Sequence, residues 1–258
     1  MASVAGAAGV LKALILAGSR GGVDPVAAYA GAAHKALIEL GGETMLARVA
    51  GALRGAGCEP VAVSASEATV SAEAGRLGLR VLPAEAGPSA SVGRALAELG
   101  APLLVATADH ALLEAEWVRR FVADTPAGSD VAVLLAERGA VERALPGARR
   151  TYLRFADGDW SGCNLFLLAT PDAARAIDLW RLVEADRKRP WRIVRRFGAG
   201  TLVRYLLGRL TLGQAVARLG ELAGVRAAAV AVASPYGLAA VDVDKPADLD
   251  AVRAIVSR

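Results

Sequence analysis

Histidine, cysteine, lysine and asparagine are all scarce in this chain of 258 residues. Its two cysteines, Cys58 and Cys163, sit in separate apolar stretches (GAGCEPVAV and SGCNLFLL), outside any CxxC or Cys/His cluster. That pattern implies buried thiols in a reducing compartment, hence a cytoplasmic protein. Two histidines, His34 and His110, are too few for a histidine-rich metal site. Only four lysines occur (Lys12, Lys35, Lys188, Lys245), and Asn164 is the single asparagine. Alanine and arginine in excess suggest a GC-rich coding sequence, which makes a lysine or asparagine inside a short motif more informative than usual. No uncharged apolar stretch reaches the ~20 residues a bilayer span requires. The longest, Ala227 to Val241, is broken by Pro235 and Gly237. The N-terminal MASVAGAAGVLKALILAG lacks a basic n-region, and Lys12 interrupts its apolar run. It reads as a leader followed by a buried strand rather than a signal peptide. Neither an internal repeat nor a low-complexity linker is present.

What is abundant is apolar surface to bury. Hydrophobic residues make up 54% of the chain and charged residues 22%, which excludes intrinsic disorder. The length suits one large α/β domain, residues 1–258, whose core needs no disulfide or metal staple. A net charge of +4 suits anionic ligands but is too diffuse to argue for nucleic acid.

Strands and helices alternate for the first two thirds. LKALILA (Leu11 to Ala17), VAVSA near Val61, RVLP at Arg80, PLLVATA at Pro102 and DVAVLLA at Asp130 are short apolar runs of buried-strand type. Between them, Thr44 to Gly55, Glu67 to Leu77, Ser89 to Leu99 and Glu114 to Ala123 carry helical spacing. This repetition predicts a mostly parallel, doubly wound sheet with helices on both faces. Beyond about residue 138 the alternation breaks. TYLRFA and SGCNLFLLA predict two strands joined by the turn Asp157-Gly158-Asp159, and a helix is expected from Pro171 to Trp180 with Pro171 in its first turn. Residues 181–224 form a helical, basic insertion. The chain closes with the strands AAAVAVA and LAAVDVD, then a helix from Pro246 to Val256.

In an open α/β sheet ligands bind beyond the carboxyl ends of the strands, and three such ends are chemically loaded. The first strand runs into Leu16-Ala17-Gly18-Ser19-Arg20-Gly21-Gly22, followed by a long loop to Lys35. Glycines let backbone N–H groups approach a phosphate, and Arg20 and Lys35 can neutralise it. The stretch fits neither GxxxxGK[ST] nor GxGxxG. Another strand ends in Ala106-Thr107-Ala108-Asp109-His110, where a carboxylate is a natural Mg²⁺ ligand or else a helix cap. The last strand ends Val241-Asp242-Val243-Asp244-Lys245-Pro246, and strand alternation puts Asp242 and Asp244 on one face, with Asp244 as a plain N-cap the bland alternative.

Taken together, LAGSR…HKALIELGGETMLARVAGAL, Pro88-Ser89-Ala90-Ser91-Val92, ADHALL and DVDKPADL resemble, in order, the motifs of the MobA-like nucleotidyltransferases. The resemblance implies the Rossmann-like sheet shared by sugar-1-phosphate nucleotidyltransferases and GT-A glycosyltransferases. It also implies NMP transfer from an NTP to a small phosphorylated or lipid-precursor acceptor, with Mg²⁺ as cofactor and pyrophosphate leaving. By the same resemblance, Leu16, Ala17, Gly18 and Ser19 contact the nucleotide, Arg20 and Lys35 hold the triphosphate, and Ser89 and Ser91 lie beside the base. Asp109 holds Mg²⁺ with Asp242 or Asp244, and Gly162 and Asn164 face the acceptor. The sequence departs from the family in having Ser19 where a second glycine is usual, and in a longer stretch between Arg20 and Lys35.

Two other function classes compete. A GT-A glycosyltransferase would use Asp157-Gly158-Asp159 or Asp242-Val243-Asp244 as its metal motif and release a nucleoside diphosphate. A non-catalytic protein on the same fold would use its basic segment to dock. That segment, RKRPWRIVRRFGAGTLVRYLLGR (187–209), is expected to pack Trp191, Phe197 and Leu206 inward, with peripheral contact to anionic membrane or a dimer or phosphate clamp as alternatives. Trp180 and Tyr205 read as core anchors.

Overall fold

The computed structural model describes residues 10–19, 21–147, 150–186, 198–232 and 236–257. The expectations for the leader, for Arg20 and for residues 187–197, Trp191 and Phe197 included, lie outside the described residues. The chain begins with β1 (Lys12–Leu16), α1 (Pro25–Ala30), a 3-10 turn (Lys35–Leu37), the short strands β2 (Glu39–Leu40) and β3 (Glu43–Thr44), and α2 (Met45–Gly55). There follow β4 (Val61–Ser64), α3 (Ala68–Arg76), β5 (Arg80–Leu82), α4 (Pro88–Leu99), β6 (Leu103–Thr107) and α5 (Ala115–Asp124). The second half holds β7 (Val131–Glu137), α6 (Arg138–Ala144), β8 (Leu153–Phe155), β9 (Gly158–Leu168) and α7 (Ala173–Ala185). It ends with α8 (Ala199–Leu206), α9 (Leu212–Ala223), β10 (Ala227–Val232), a 3-10 helix (Tyr236–Ala240) and α10 (Pro246–Val256).

The main sheet has the order β10-β7-β9-β6-β1-β4-β5, with β8 as a hairpin on β9. β9 runs antiparallel to β6, β7 and β8, and the other pairings are parallel, so the mostly parallel, doubly wound α/β sheet holds. Alternation along each strand distributes side chains to the two faces. Ala13 and Ile15 of β1 join the core beneath α2 and α5, while Leu14 joins the core beneath α4 and α7. In β7, Ala132, Leu134 and Ala136 enter the first core, and Val133 and Leu135 meet Leu212 and Val216 of α9. Helix α2 shows how sequence sets such an element. Thr44 accepts from the Ala47 amide at 3.1 Å as N-cap, and Met45, Leu46, Val49, Ala50 and Leu53 bury one face.

Several expectations need correction. The stretch between Arg20 and Lys35 is not simply a long loop. Asp24 caps α1 through the amides of Val26 (2.8 Å) and Ala27 (3.0 Å), Gly31 ends it at φ +67°, and Tyr29 donates to Asp250 of α10. The LAAVDVD strand does not form. Gly237 passes so close to α6 that an added Cβ would stand 2.0 Å from the Ala140 carbonyl oxygen, and the chain turns there as the 3-10 helix. Residues 241–244 then run without strand pairing. The β8–β9 turn is Ala156-Asp157, because Phe155 pairs with Gly158, which puts Gly158 and Asp159 inside β9. Pro171 precedes α7 instead of opening it, its carbonyl accepting from Ala174 in the turn before the helix. Leu206 is 72% exposed rather than packed inward, and Tyr205 is 40% exposed with its ring edge-on to Phe155. Trp180 does anchor the core, its ring 5.9 Å from that of Phe166.

Candidate active site

The carboxyl ends of β1, β4 and β6 meet in one place. Beyond them the sheet is continued by backbone alone: the Ala17 amide donates to Ser64 and the Ala108 amide to the Leu16 carbonyl, each at 3.0 Å. Those two groups are thereby spent on structure, and the free loop begins at Gly18 and Ser19, both exposed. The Ser19 hydroxyl is bonded to Glu67 at the start of α3.

Lys35 reaches this corner because α1 folds the chain back and His34 caps the 3-10 turn, its Nδ1 accepting from the Ala36 amide at 3.1 Å. The Lys35 Nζ donates to Asp109 Oδ2 at 2.7 Å and stands 3.6 Å from Asp244 Oδ1. Asp109 also accepts from the Thr107 hydroxyl at 2.5 Å, and its carbonyl accepts from the Val243 amide at 3.1 Å. Three segments separated by long stretches of chain thus converge on one ammonium group.

The electrostatics of the corner are unbalanced. Burial opposes the Lys35 charge, yet the carboxylates of Asp109 and Asp244 outweigh it and raise its pKa. Burial likewise opposes ionisation of Asp109, but Lys35 and Thr107 hold it below the ordinary carboxylate value. Asp244 goes the other way: burial and then the nearby Asp242 and Asp109 carboxylates raise its pKa. The corner therefore carries more negative charge than Lys35 neutralises, a condition that a hard divalent cation relieves. Among the described residues no group of three His, Cys, Asp or Glu side chains is arranged to hold a metal. Asp109 and Asp244 fit an ion that takes one or two protein carboxylates and fills its remaining positions with water and phosphate oxygens, as Mg²⁺ does.

Asp242 is placed differently. It is buried, one carboxylate oxygen bound by Arg150 and the other accepting from Asn164 Nδ2 at 2.5 Å. Asp244 is not the N-cap of α10 either. Asp248 accepts from the amides of Asp244 (3.1 Å) and Lys245 (2.9 Å), which leaves the Asp244 carboxylate free to face Lys35.

Asn164 lies within β9, not near its beginning, and it adopts φ +50°. The reason is a bulge. Val133 pairs with Phe166 and Leu135 with Gly162, so residues 163–165 oppose Leu134 alone. Because β9 is antiparallel and its pairing with β6 stops at Leu165, the bulge projects Asn164 past the carboxyl end of β6. Gly162 beside it is exposed, with open space where a Cβ would stand.

Ser89 and Ser91 are buried in the first turns of α4, and internal partners occupy both. Ser89 donates to Glu184 of α7 at 2.5 Å, and Ser91 Oγ accepts from the Glu85 amide at 3.0 Å. His110 is fully buried, and burial drops its pKa to about 4, so it is neutral. Asp157 accepts from the Leu212 amide at 2.9 Å and Asp159 pairs with Arg138 at 3.3 Å, contacts of the hairpin and not of the Lys35 corner. Arg150 escaped sequence reasoning. It belongs to none of the sequence motifs, and its partner lies 92 residues away. Cys58 and Cys163 are free and buried, and burial pushes the Cys58 thiol up to about 12.

An open, mostly parallel α/β sheet of this strand order is a Rossmann-like architecture, and its lysine–aspartate pair lies beyond the carboxyl ends of the central strands, where such sheets bind ligands. The family model for the MobA-like NTP transferase domain matches residues 13–197, and the chain belongs to that family. A hypothetical transferase from Thermus thermophilus is similar at 32% identity and TM-score 0.79, covering 93% of this chain and 99% of its own. A nucleotidyl transferase from Methanothermobacter shares the fold at 23% identity and TM-score 0.60, over 97% of this chain and 99% of its own. CMP:2-keto-3-deoxy-manno-octonic acid synthetase, solved with CTP, shares it at 18% identity and TM-score 0.59, over 96% of this chain and 98% of its own. No curated protein matches the sequence.

Proposed function

We propose that the chain transfers a nucleoside monophosphate from a nucleoside triphosphate to a small phosphorylated acceptor, releasing pyrophosphate, with Mg²⁺ held by Asp109 and Asp244. The observation that carries this reading is Lys35 standing between those two carboxylates beyond the central strands. An acceptor phosphate oxygen forms the new bond to the α-phosphorus as the bond to the β-phosphate breaks, and pyrophosphate departs in line. The acceptor phosphate is ionised at neutral pH, so no general base is required, in keeping with a neutral, buried His110. Lys35 exchanges its carboxylate partners for phosphate oxygens and stabilises their charge, with Arg20 as a second cation for the triphosphate. The metal, when bound, neutralises charge on the phosphates. Leu16 and Ala17 fix the loop through the sheet, Gly18 and Ser19 border the nucleotide, and Ser89 and Ser91 hold the α4 turn beside the base. Gly162 and Asn164 lie on the acceptor side.

The surface of α8 bears on the source of the acceptor. Val203, Leu206 and Leu207 are exposed beside Arg204 and Arg209, and residues 187–209 hold eight basic residues and no acidic one. This combination supports peripheral contact with anionic lipid. Among the described residues no helix is long and apolar enough to cross a membrane.

The test is product analysis with four NTPs against phosphorylated sugars, alcohols and cofactors. Pyrophosphate release with one NTP–acceptor pair, lost in Lys35→Ala, is expected. Release of a nucleoside diphosphate from a nucleotide sugar instead would establish the glycosyltransferase.

A further inference from the structure

Residues 241–244 carry a proposed metal ligand on a segment that no strand holds. What fixes it is a set of contacts on both sides. Val241 and Val243 are buried in the core under α10, and the Val243 amide donates to the Asp109 carbonyl. On the opposite side Asp242 meets Arg150 and Asn164. The Arg150 side chain is 11% exposed and that of Asp242 is 9% exposed, so this ion pair is shielded from solvent. Arg150 also lies close enough to the Asp242 carbonyl oxygen to donate to it at 3.4 Å, which ties the guanidinium to the backbone as well as to the side chain. Asn164 holds the other carboxylate oxygen from a left-handed backbone conformation that non-glycine residues rarely adopt. Backbone strain of this kind persists where surrounding contacts over-determine it.

We infer that Arg150 is a positioning residue: with Asn164 it clamps Asp242, and the clamp sets Asp244 against Lys35 and Asp109. The inference rests on Asp244 being a metal ligand. Asp242 is then no ligand at all, because both its oxygens serve the clamp. Two carboxylates two residues apart take different roles because one has a buried guanidinium partner and the other faces the ammonium. The clamp also links the β9 bulge to the metal corner, so an acceptor seated by Gly162 and Asn164 is registered against Asp244 through three side chains. Partners of this kind, one shell out from a metal, affect its affinity through the geometry of the ligand they orient.

The experiment is Mn²⁺ binding to the full chain, followed by electron paramagnetic resonance, alongside thermal melts and turnover. Arg150→Lys keeps the charge but loses the planar fork. Asn164→Gly keeps the left-handed backbone and removes the amide. Each is expected to weaken Mn²⁺ binding about 10-fold. Each should also raise the Mg²⁺ needed for half-maximal turnover, and excess Mg²⁺ should recover part of the rate. Should Arg150→Lys fail to fold, Asn164→Gly decides. Wild-type Mn²⁺ affinity in a folded variant, with Asp244→Asn losing Mn²⁺, would overturn the clamp and leave the metal site standing. Wild-type Mn²⁺ affinity in Asp244→Asn would overturn both.

Discussion

Asp109 follows β6 and Asp130 precedes β7, two strands that flank β9 in the sheet, and the surroundings of the two aspartates separate chemistry from stability. Asp130, just before β7, accepts from the Arg226 amide and the Thr170 hydroxyl, each at 2.8 Å, with the Arg226 guanidinium at 3.4 Å. Burial works against its charge, yet these donors outweigh it and lower its pKa. Its partners among the described residues are donors. Asp109 is matched by a lysine that a second carboxylate, Asp244, also claims, and Asp244 is held above its ordinary pKa. A site whose donors and acceptors balance stabilises the fold, whereas one with surplus charge can exchange partners with a ligand.

The strongest way to break this contrast is at Asp109. Asp109→Ala should lower turnover by at least about 100-fold, the scale of losing a charge-stabilising group at the reacting centre. Circular dichroism should show an intact fold, and near-normal turnover with added Mg²⁺ would remove Asp109 from the site. Asp130→Asn should do the reverse. Loss of charged hydrogen bonds at a buried carboxylate should cost about 1–3 kcal/mol of stability with turnover unchanged. The pH dependence sharpens this. Because the folded pKa of Asp130 is depressed, its contribution is fully present above the unfolded value of about 3.9 and is lost as pH falls through the folded one. Melting temperature should therefore fall less steeply below about pH 4 in Asp130→Asn than in wild type. The smallest effect on chemistry belongs to α8. Leu206→Asp with Leu207→Asp should leave turnover of a soluble acceptor unchanged while reducing sedimentation with phosphatidylglycerol vesicles. Undiminished vesicle binding would reassign that exposed face.

Much of the framework was legible because it depends on neighbours in sequence. Buried strands announce themselves as short apolar runs, and VAVS of β4 is buried throughout. The Thr44 cap and the α2 face follow from local spacing. Where the reading failed, a non-local contact was responsible. LAAVDVD has strand composition, but the approach of Gly237 to the Ala140 backbone turns the chain away from the sheet. Leu206 has core composition, yet no residue of α8 is buried, and Tyr205 stands edge-on to Phe155.

The same division runs through the site. The sequence by itself determined that Asp109 lies just past a buried strand and that the DVDKP segment leads into the last helix, because that follows from strand and helix periods within a dozen residues of each. Only the tertiary structure decided which of Asp242 and Asp244 faces the lysine. Alternation makes the two equivalent, and the distinction comes from Arg150 and Asn164, 92 and 78 residues away along the chain. A buried charge takes its role from the partner that folding delivers to it, and that partner leaves no mark in the local pattern.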